Sequence, residues 1–426
     1  MSSKFGSLID RIRRSAGFPS RDDRRQEAPE DFRQTPEFQS LDAMTRPKHT
    51  VRPLLVAASN SLGLDLHKKL ARETPNTNLL VSPVSVYLAM AMASIGAGGE
   101  TLTEIARALW VNTIPENEWA EVFAELVPTL RYSAIGQELR LANSVWVKDG
   151  RRLRPDYEQA LKQCFEAEIT SLPFSDPRSV ERINRWVTKK TGGKIREIVG
   201  SLSKDERLMI LNCVYFQGGW HEPFDVKLTR DEIFHGKGGD YRRPFMHMRS
   251  DFAYGESEHF KVVRLDYAGA CSLGMWVFLP SRDMGLEEFV NGLDNKFWEY
   301  ASTQCRARPG TLALPRFKLE CSKELSGSLR DAGIERCFDP DRADFSGMLA
   351  ESEPLFLSSV LQKTYLNVNE QGSEAAAATA MRMLFGGFEE LEPPPPFEMS
   401  VDRPFFVAVG DTATGLLLFT TSVWEV

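Results

Sequence analysis

Apolar residues along the chain alternate between helical and strand-like spacing. Leu54, Leu55, Ala58, Leu62, Leu66 and Leu70 recur at three- and four-residue intervals, the stripe of an amphipathic helix. A short apolar run at 78–81 reads as a strand. Ser82-Pro83 after it suits a helix N-cap followed by proline at the first helical position. The helix so opened, from Val84 to about Ile95, is apolar on nearly every face, which predicts burial at the centre of the protein. Strand-like runs follow at 139–147, 208–216, 261–265, 272–279, 311–319, 355–368 and 405–419. Helical stretches separate the early runs and the last third is mainly strand, without a βαβ alternation, so the predicted fold class is α+β.

Length alone, 426 residues, suggests two or three domains. No proline-rich or charged linker splits 51–385, however, and there is no internal repeat, so the pattern predicts a single large domain over 51–426. Residues 1–50 carry ten basic and eight acidic residues with Pro19, Pro29, Pro36 and Pro47 scattered among them. That composition cannot build a core and predicts a disordered extension. Within it Phe5, Leu8, Ile9 and Ile12 fall at helical spacing beside Lys4, Arg11, Arg13 and Arg14. The stretch reads either as a transient helix in a tail or as a transit or membrane-surface helix.

A formal charge of −7 argues against nucleic acid bound through an overall positive field. No apolar stretch is long enough for a membrane-spanning helix, so no membrane partner is expected. Cys164, Cys213, Cys271, Cys305, Cys321 and Cys337 are too widely spaced for a metal or redox pair and read as buried free thiols. The histidines, His49, His67, His221, His235, His247 and His259, form no His-Glu-x-x-His motif and no metal-spaced pair with cysteine. There is no Gly-x-Ser-x-Gly elbow, and Gly96-Ala97-Gly98-Gly99 lacks the third glycine of a dinucleotide site. Gly193-Lys194 and Gly236-Lys237 lack the upstream glycine of a phosphate loop. No catalytic, metal or cofactor site is expected, and nothing positively suggests an enzyme.

Residues 370–400 fit neither a core nor an ordinary loop. Glu370-Gln371-Gly372-Ser373-Glu374 leads into Ala375, Ala376, Ala377 and Ala378, then Thr379 to Phe385, Gly386-Gly387, an acidic patch and four prolines. A connection of this length is functional or disordered. Alternate residues from Ser373 (Ala375, Ala377, Thr379, Met381, Met383) are small or apolar, and the other face carries both charges, Glu374 and Arg382. This is the period of a strand with one face against a core, and Gly372 supplies a pivot before it. Alanine is also the best helix former, so these residues alone leave strand and helix open.

Ordered motifs decide the matter. Asn78 to Ser85, Asn184-Arg185-Trp186-Val187, Thr191 to Ile195 and Leu211 to Phe224 are followed by Leu314-Pro315-Arg316-Phe317, Gly333-Ile334, Ala343 to Gly347, the Glu370–Thr379 stretch and Arg403-Pro404-Phe405. Across 53–426 the chain resembles the serpin family. The resemblance implies a metastable single domain of several sheets, surrounding helices and an exposed reactive loop. A target protease cleaves that loop and forms an acyl-enzyme; the freed segment then inserts into the main sheet and stalls deacylation, mechanisms in which loop insertion is an established mode of strand addition. By the same resemblance, Glu370, Gly372, Ser373, Ala375, Ala376, Ala377 and Ala378 match the mobile hinge of inhibitory members. Ser82, Ser85 and Asn212 match polar residues of the shutter beneath the sheet, and Trp220 and Phe224 match the breach where insertion begins.

Two departures stand out. Gln362 occupies a shutter position where the family commonly has histidine, so the hydrogen bonds there must differ. Thr421 replaces a usual glycine near the C-terminus, which is expected to alter local packing only. Counting the usual hinge-to-cleavage length from Glu370 lands on Phe385 or Gly386. The Phe385-Gly386 bond suits a chymotrypsin-like pocket, Leu384 or Met383 would serve elastase- or cathepsin-like proteases, and Arg382 would suit trypsin-like ones but leaves too short a segment to insert. Residues 111–135, where some relatives bind heparin, hold several acids and only Arg131 as a base, so heparin activation is not expected. A monomer is expected, its partner the target protease. The alternative is a non-inhibitory serpin acting as chaperone, carrier or storage protein, against which the small hinge residues speak. The family resemblance implies the extracellular space, whereas the missing apolar secretory run and the absence of any Asn-x-Ser/Thr acceptor point to the cytoplasm.

Overall fold

A helix that is apolar all round has to be enclosed on all sides. In the computed structural model, which describes residues 51–133, 137–268, 272–350, 353–373 and 395–426, the segment predicted from Val84 to Ile95 is such a helix, with every residue from Pro83 to Ser94 buried. The described helices are α1 (Pro53–Glu73), α2 (Pro83–Ile95), α3 (Gly99–Ala108), α4 (Trp119–Phe123), α5 (Leu126–Ser133), α6 (Pro155–Phe165), α7 (Arg178–Lys190), α8 (Gly285–Asn291), α9 (Asn295–Gln304) and α10 (Ser326–Asp331). Helix α1 crosses the first turn of α2 at Gly63, where a Cβ would come within 2.2 Å of Pro83 Cβ. None of these helices is long and apolar enough to cross a membrane.

Two sheets flank α2. The first contains, in spatial order, β1 (Leu79–Val81), β15 (Leu417–Val423), β14 (Phe405–Asp411), β8 (Leu273–Pro280), β7 (Phe260–Asp266), β6 (Gly239–Glu256), β9 (Arg306–Pro315) and β13 (Phe397–Ser400), with β5 (Arg230–Gly236) paired to β6. The second is β10 (Phe317–Glu324), β11 (Leu357–Val368), β4 (Leu208–Gly219), β2 (Glu138–Lys148) and β3 (Glu168–Leu172), with the short β12 (Gly372–Ser373) paired to β4. Helix α2 packs on β15 of one sheet and β4 of the other.

Strand β4 explains its own unbroken apolar run, because it is covered on both faces. Leu208, Ile210, Val214 and Phe216 face the main core, while Met209, Leu211, Cys213 and Tyr215 pack with Trp186 of α7. Two predicted strands prove composite. The 311–319 run breaks at Arg316, where the chain passes from β9 in one sheet to β10 in the other. The 405–419 run is the hairpin β14–β15, turned by Asp411, whose carboxylate accepts from the amides of Ala413 and Thr414 at 2.7 Å. Strands β5, β6, β3 and β13 gave no apolar run, since charged and polar side chains interrupt them (Arg242, Arg243 and Asp251 in β6). Thr421 is fully buried in β15 between Leu80 and Val407.

The five described cysteines are free; Cys213, Cys321 and Cys337 are buried, and burial pushes the Cys213 thiol up to about 12. Cys271 lies outside the described residues.

One buried polar group ties α1 to β15. The His67 ring nitrogens lie 3.0 Å from Thr420 Oγ1 and 2.8 Å from Ser422 Oγ, with Phe406 edge-on at 5.5 Å. Burial lowers its pKa from 6.5 to about 3, so the folded state keeps it neutral. Between these values the unfolded chain binds the proton and the folded chain does not. The stability from a neutral His67 is therefore complete above pH 6.5 and lost as pH falls towards 3, on the order of 5 kcal/mol across the window. His67→Gln is expected to flatten the decline of the unfolding midpoint between pH 6.5 and 4, whatever its stability at pH 7. Parallel profiles for the two proteins would contradict this assignment.

Candidate functional site: the sheet opening and the loop hinge

Strand β11 runs parallel to β4 from Leu357 beside Leu208 to Tyr365 beside Tyr215. Midway, register sets Gln362 beside Asn212, and Asn212 beside Asn143 of β2, so three amide side chains meet on the inner face. All three are buried, and so is Ser85 on α2. A buried amide needs partners for its donors and its acceptor. Gln362 Oε1 accepts from the Ser82 amide, while its Nε2 donates to Ser82 O and Ser85 Oγ, each at 3.0 Å. The Ser85 hydroxyl donates to Asn212 Oδ1 and the Asn212 amide to Asn143 Oδ1. Asn143 Nδ2 closes the relay on Phe165 O at 3.0 Å. The residues Ser85, Asn212 and Gln362 predicted from sequence thus come together. Ser82 takes part only through its backbone: it stands at the predicted N-cap position, but its hydroxyl neither caps α2 nor has a partner among the described residues.

At the far end of β4 the chain turns back on itself. The Asn369 and Gly372 backbones exchange hydrogen bonds of 2.9 and 3.2 Å, and β12 then pairs antiparallel with β4, Gly372 beside Gly219 and Ser373 beside Gly218. Gly372 has φ +144°, and a Cβ on it would stand 2.0 Å from Gly218 O, so both conformation and approach require glycine there. The two predicted breach residues hold this turn. The Trp220 amide donates to Gln371 O and its indole to Asn369 O, both at 2.9 Å; the Phe224 amide donates to Glu370 O at 2.9 Å.

Ser373 is fully buried, its hydroxyl 2.7 Å from that of Tyr267, whose ring stacks on Trp220 and meets Phe216 edge-on, both at 4.8 Å. Glu370 is buried as well. Arg316 Nε donates to Glu370 Oε1 at 2.7 Å, a second guanidinium nitrogen adds to this, and Thr229 Oγ1 donates at 2.5 Å. Burial alone would raise the Glu370 carboxyl, but the hydrogen bonds from Arg316 and Thr229, with the Arg316 charge, outweigh it and hold it below its ordinary value.

Asn143, Thr229, Tyr267, Gly218 and Gly219 belong to this arrangement yet were not singled out by sequence. Gly218-Gly219 and Arg316 do sit inside motifs quoted for the resemblance; Asn143 and Tyr267 give no local signal, since only strand register brings them in. Ala375, Ala376, Ala377, Ala378, Phe385 and Gly386 lie outside the described residues.

Comparison with known proteins agrees with this architecture. The family model for serpins (serine protease inhibitors) matches residues 57–426. A serpin-like protein of Thermococcus kodakarensis is 35% identical over 369 residues, 86% of this chain and 84% of that one. Serine protease inhibitor 42Dd of Drosophila melanogaster is 31% identical over 82% of this chain and 92% of its own length. Among solved structures, the native thermophilic serpin tengpin superposes with TM-score 0.78 at 25% identity, over 89% of this chain and 96% of its own. Human thyroxine-binding globulin, solved as a complex with thyroxine, gives the same score and identity over 88% and 99%. The chain belongs to the serpin family, whose members are generally protease inhibitors rather than enzymes.

Proposed function

We propose that this chain inhibits a serine protease as a suicide substrate: the protease cleaves the segment after Ser373, and the freed strand inserts between β11 and β4 while the acyl-enzyme still stands. The observation that supports this most directly is the pairing of Gly372 and Ser373 with the end of β4, in the direction an inserting strand would follow. Continued in the same register, the pairing would bring Ala375 beside Phe216, Thr379 beside Asn212 and Met383 beside Leu208. The small or apolar alternate residues would then share the face of the buried Ser373, towards the core. Bulky side chains beside Phe216 would oppose entry, whereas alanines do not.

Insertion from Ser373 to Phe385 would carry the attached protease roughly 40 Å at about 3.3 Å per residue. A displacement of that size is ample to draw a catalytic serine away from its histidine and oxyanion donors. The proposed scissile bond is Phe385-Gly386, with a chymotrypsin-like or elastase-like target, a covalent acyl-enzyme as the product and the inhibitor acting as a monomer without heparin.

Incubation with chymotrypsin, elastase and trypsin is expected to yield a complex stable in SDS with at least one of the first two, and a released C-terminal fragment whose mass corresponds to 386–426. Cleavage by all three without any complex would sink the inhibitory reading and leave the non-inhibitory one, a chaperone, carrier or storage protein. A second outcome follows from Ala375. Continued pairing would bury it beside Phe216 only on insertion, so Ala375→Glu would place a charge where water is excluded, at a cost of about 3–5 kcal/mol if unpaired. Insertion should slow while cleavage continues, and the number of inhibitor molecules consumed per protease inactivated should rise by about tenfold or more. An unchanged stoichiometry would show that position 375 does not enter the sheet.

A further inference from the structure

Away from the sheet opening, a groove of about 540 Å³ runs between α1, the C-terminal end of α3 and the turn after α10. That volume suits a ligand of one or two rings. Its charges are unequally matched. Lys68 is paired with Asp65 at 2.7 Å, and Glu104 with Arg336 at 3.5 Å and with two backbone amides. Arg72 donates to the neutral Asn291 at 2.9 Å and keeps its charge uncompensated. The side chains of Lys69 and Arg107 have no hydrogen-bond or ion-pair partner among the described residues, and neither has that of Asp331, the one lining acid left over. The groove therefore carries three uncompensated cations against one acid.

Trp110 stands at its edge in a conformation that tryptophan does not favour. Helix α3 ends in a motif in which the Val111 amide donates to Ala106 O at 3.0 Å and the Trp110 amide to Arg107 O at 3.2 Å. The residue between them must adopt a left-handed backbone, a position that glycine or asparagine usually fills. Here it is tryptophan at φ +57°. The strain is not offset by packing: the side chain is 41% exposed, and it makes no ring contact or hydrogen bond among the described residues. Trp119, Trp146, Trp186, Trp220, Trp276 and Trp298 are buried, and Trp424 is half-buried, so Trp110 is the exposed one. A strained, exposed aromatic is the kind of feature that persists where it meets a ligand.

We propose that this groove binds a small monoanion carrying a flat ring, an aromatic carboxylate, sulfonate or sulfate ester, with its ring on the Trp110 indole and its charge received by Lys69 and Arg107. Asp65, Glu104 and Asp331 line the same groove and would repel the further charges of a polyanion, so a single anionic group is the match. The site is independent of the reactive loop, and its failure would leave the inhibitory reading untouched.

The test is calorimetric titration of the full chain with naphthalene-2-sulfonate, with sulfate and neutral naphthalene-2-methanol as controls. The sulfonate is expected to bind saturably at one site, and each control at least about tenfold more weakly. Lys69→Gln combined with Arg107→Gln should weaken sulfonate binding by about tenfold or more. Trp110→Gly should weaken it comparably and at the same time raise the unfolding midpoint, because glycine relieves the left-handed strain. Absence of saturable binding, sulfate binding as well as the sulfonate, or binding indifferent to these substitutions would overturn the proposal. So would a lowered midpoint for Trp110→Gly, which would make the indole a structural element.

Discussion

Strands β11 and β4 lie side by side in parallel, and the amide relay from Gln362 through Ser85 and Asn212 to Asn143 stitches that pairing to α2. Parallel pairing is slightly less stable per residue than antiparallel. The seam is thus held by its ladder and by buried side-chain hydrogen bonds together. Parting it would strand donors and acceptors of Gln362 and Asn212 away from water, at about 1–3 kcal/mol for each group left unsatisfied. The two-way bond between Gln362 and the Ser82 backbone adds a tie from β11 to the first turn of the central helix. The helix that organises the core and the seam that would have to open are therefore one mechanical unit.

The other end of the seam is arranged differently. There β4 ends in Gly218-Gly219, and the close approach of Gly372 is possible only because neither strand has a side chain at the contact. Glu370 is fixed by Arg316 and Thr229, and the turn that follows is fixed by Trp220 and Phe224. The chain is held firmly up to Ser373. The sheet is closed in its middle by polar bonds and carries a short antiparallel pair at one end, from which the proposed insertion would start.

Much of this was legible in the sequence. The all-apolar stretch after Pro83 and the unbroken run of β4 each express one constraint, burial on every side or on both faces. What periodicity did not disclose depends on contacts distant in sequence. Asn143 is an ordinary polar residue until register sets it beside Asn212. Tyr267 becomes a partner of Ser373 only because Trp220 carries its ring there. Strands β5 and β6, interrupted by charges, escaped a criterion built on apolar runs. The Ser82 hydroxyl shows the converse: the motif placed the residue at the N-cap position, but the hydroxyl makes no capping bond, and it is the backbone of Ser82 that is engaged, by Gln362.

The central claim is that the β11–β4 seam is closed but ready to receive the segment after Ser373. Its most direct test is the thermal unfolding midpoint of the intact chain against that of the chain cut within 374–394 by a protease it does not inhibit. If the seam admits the freed strand, the cut protein gains a full ladder on both sides of the new strand, and its midpoint rises well above that of the intact protein. A midpoint that stays the same or falls after the cut would contradict the account.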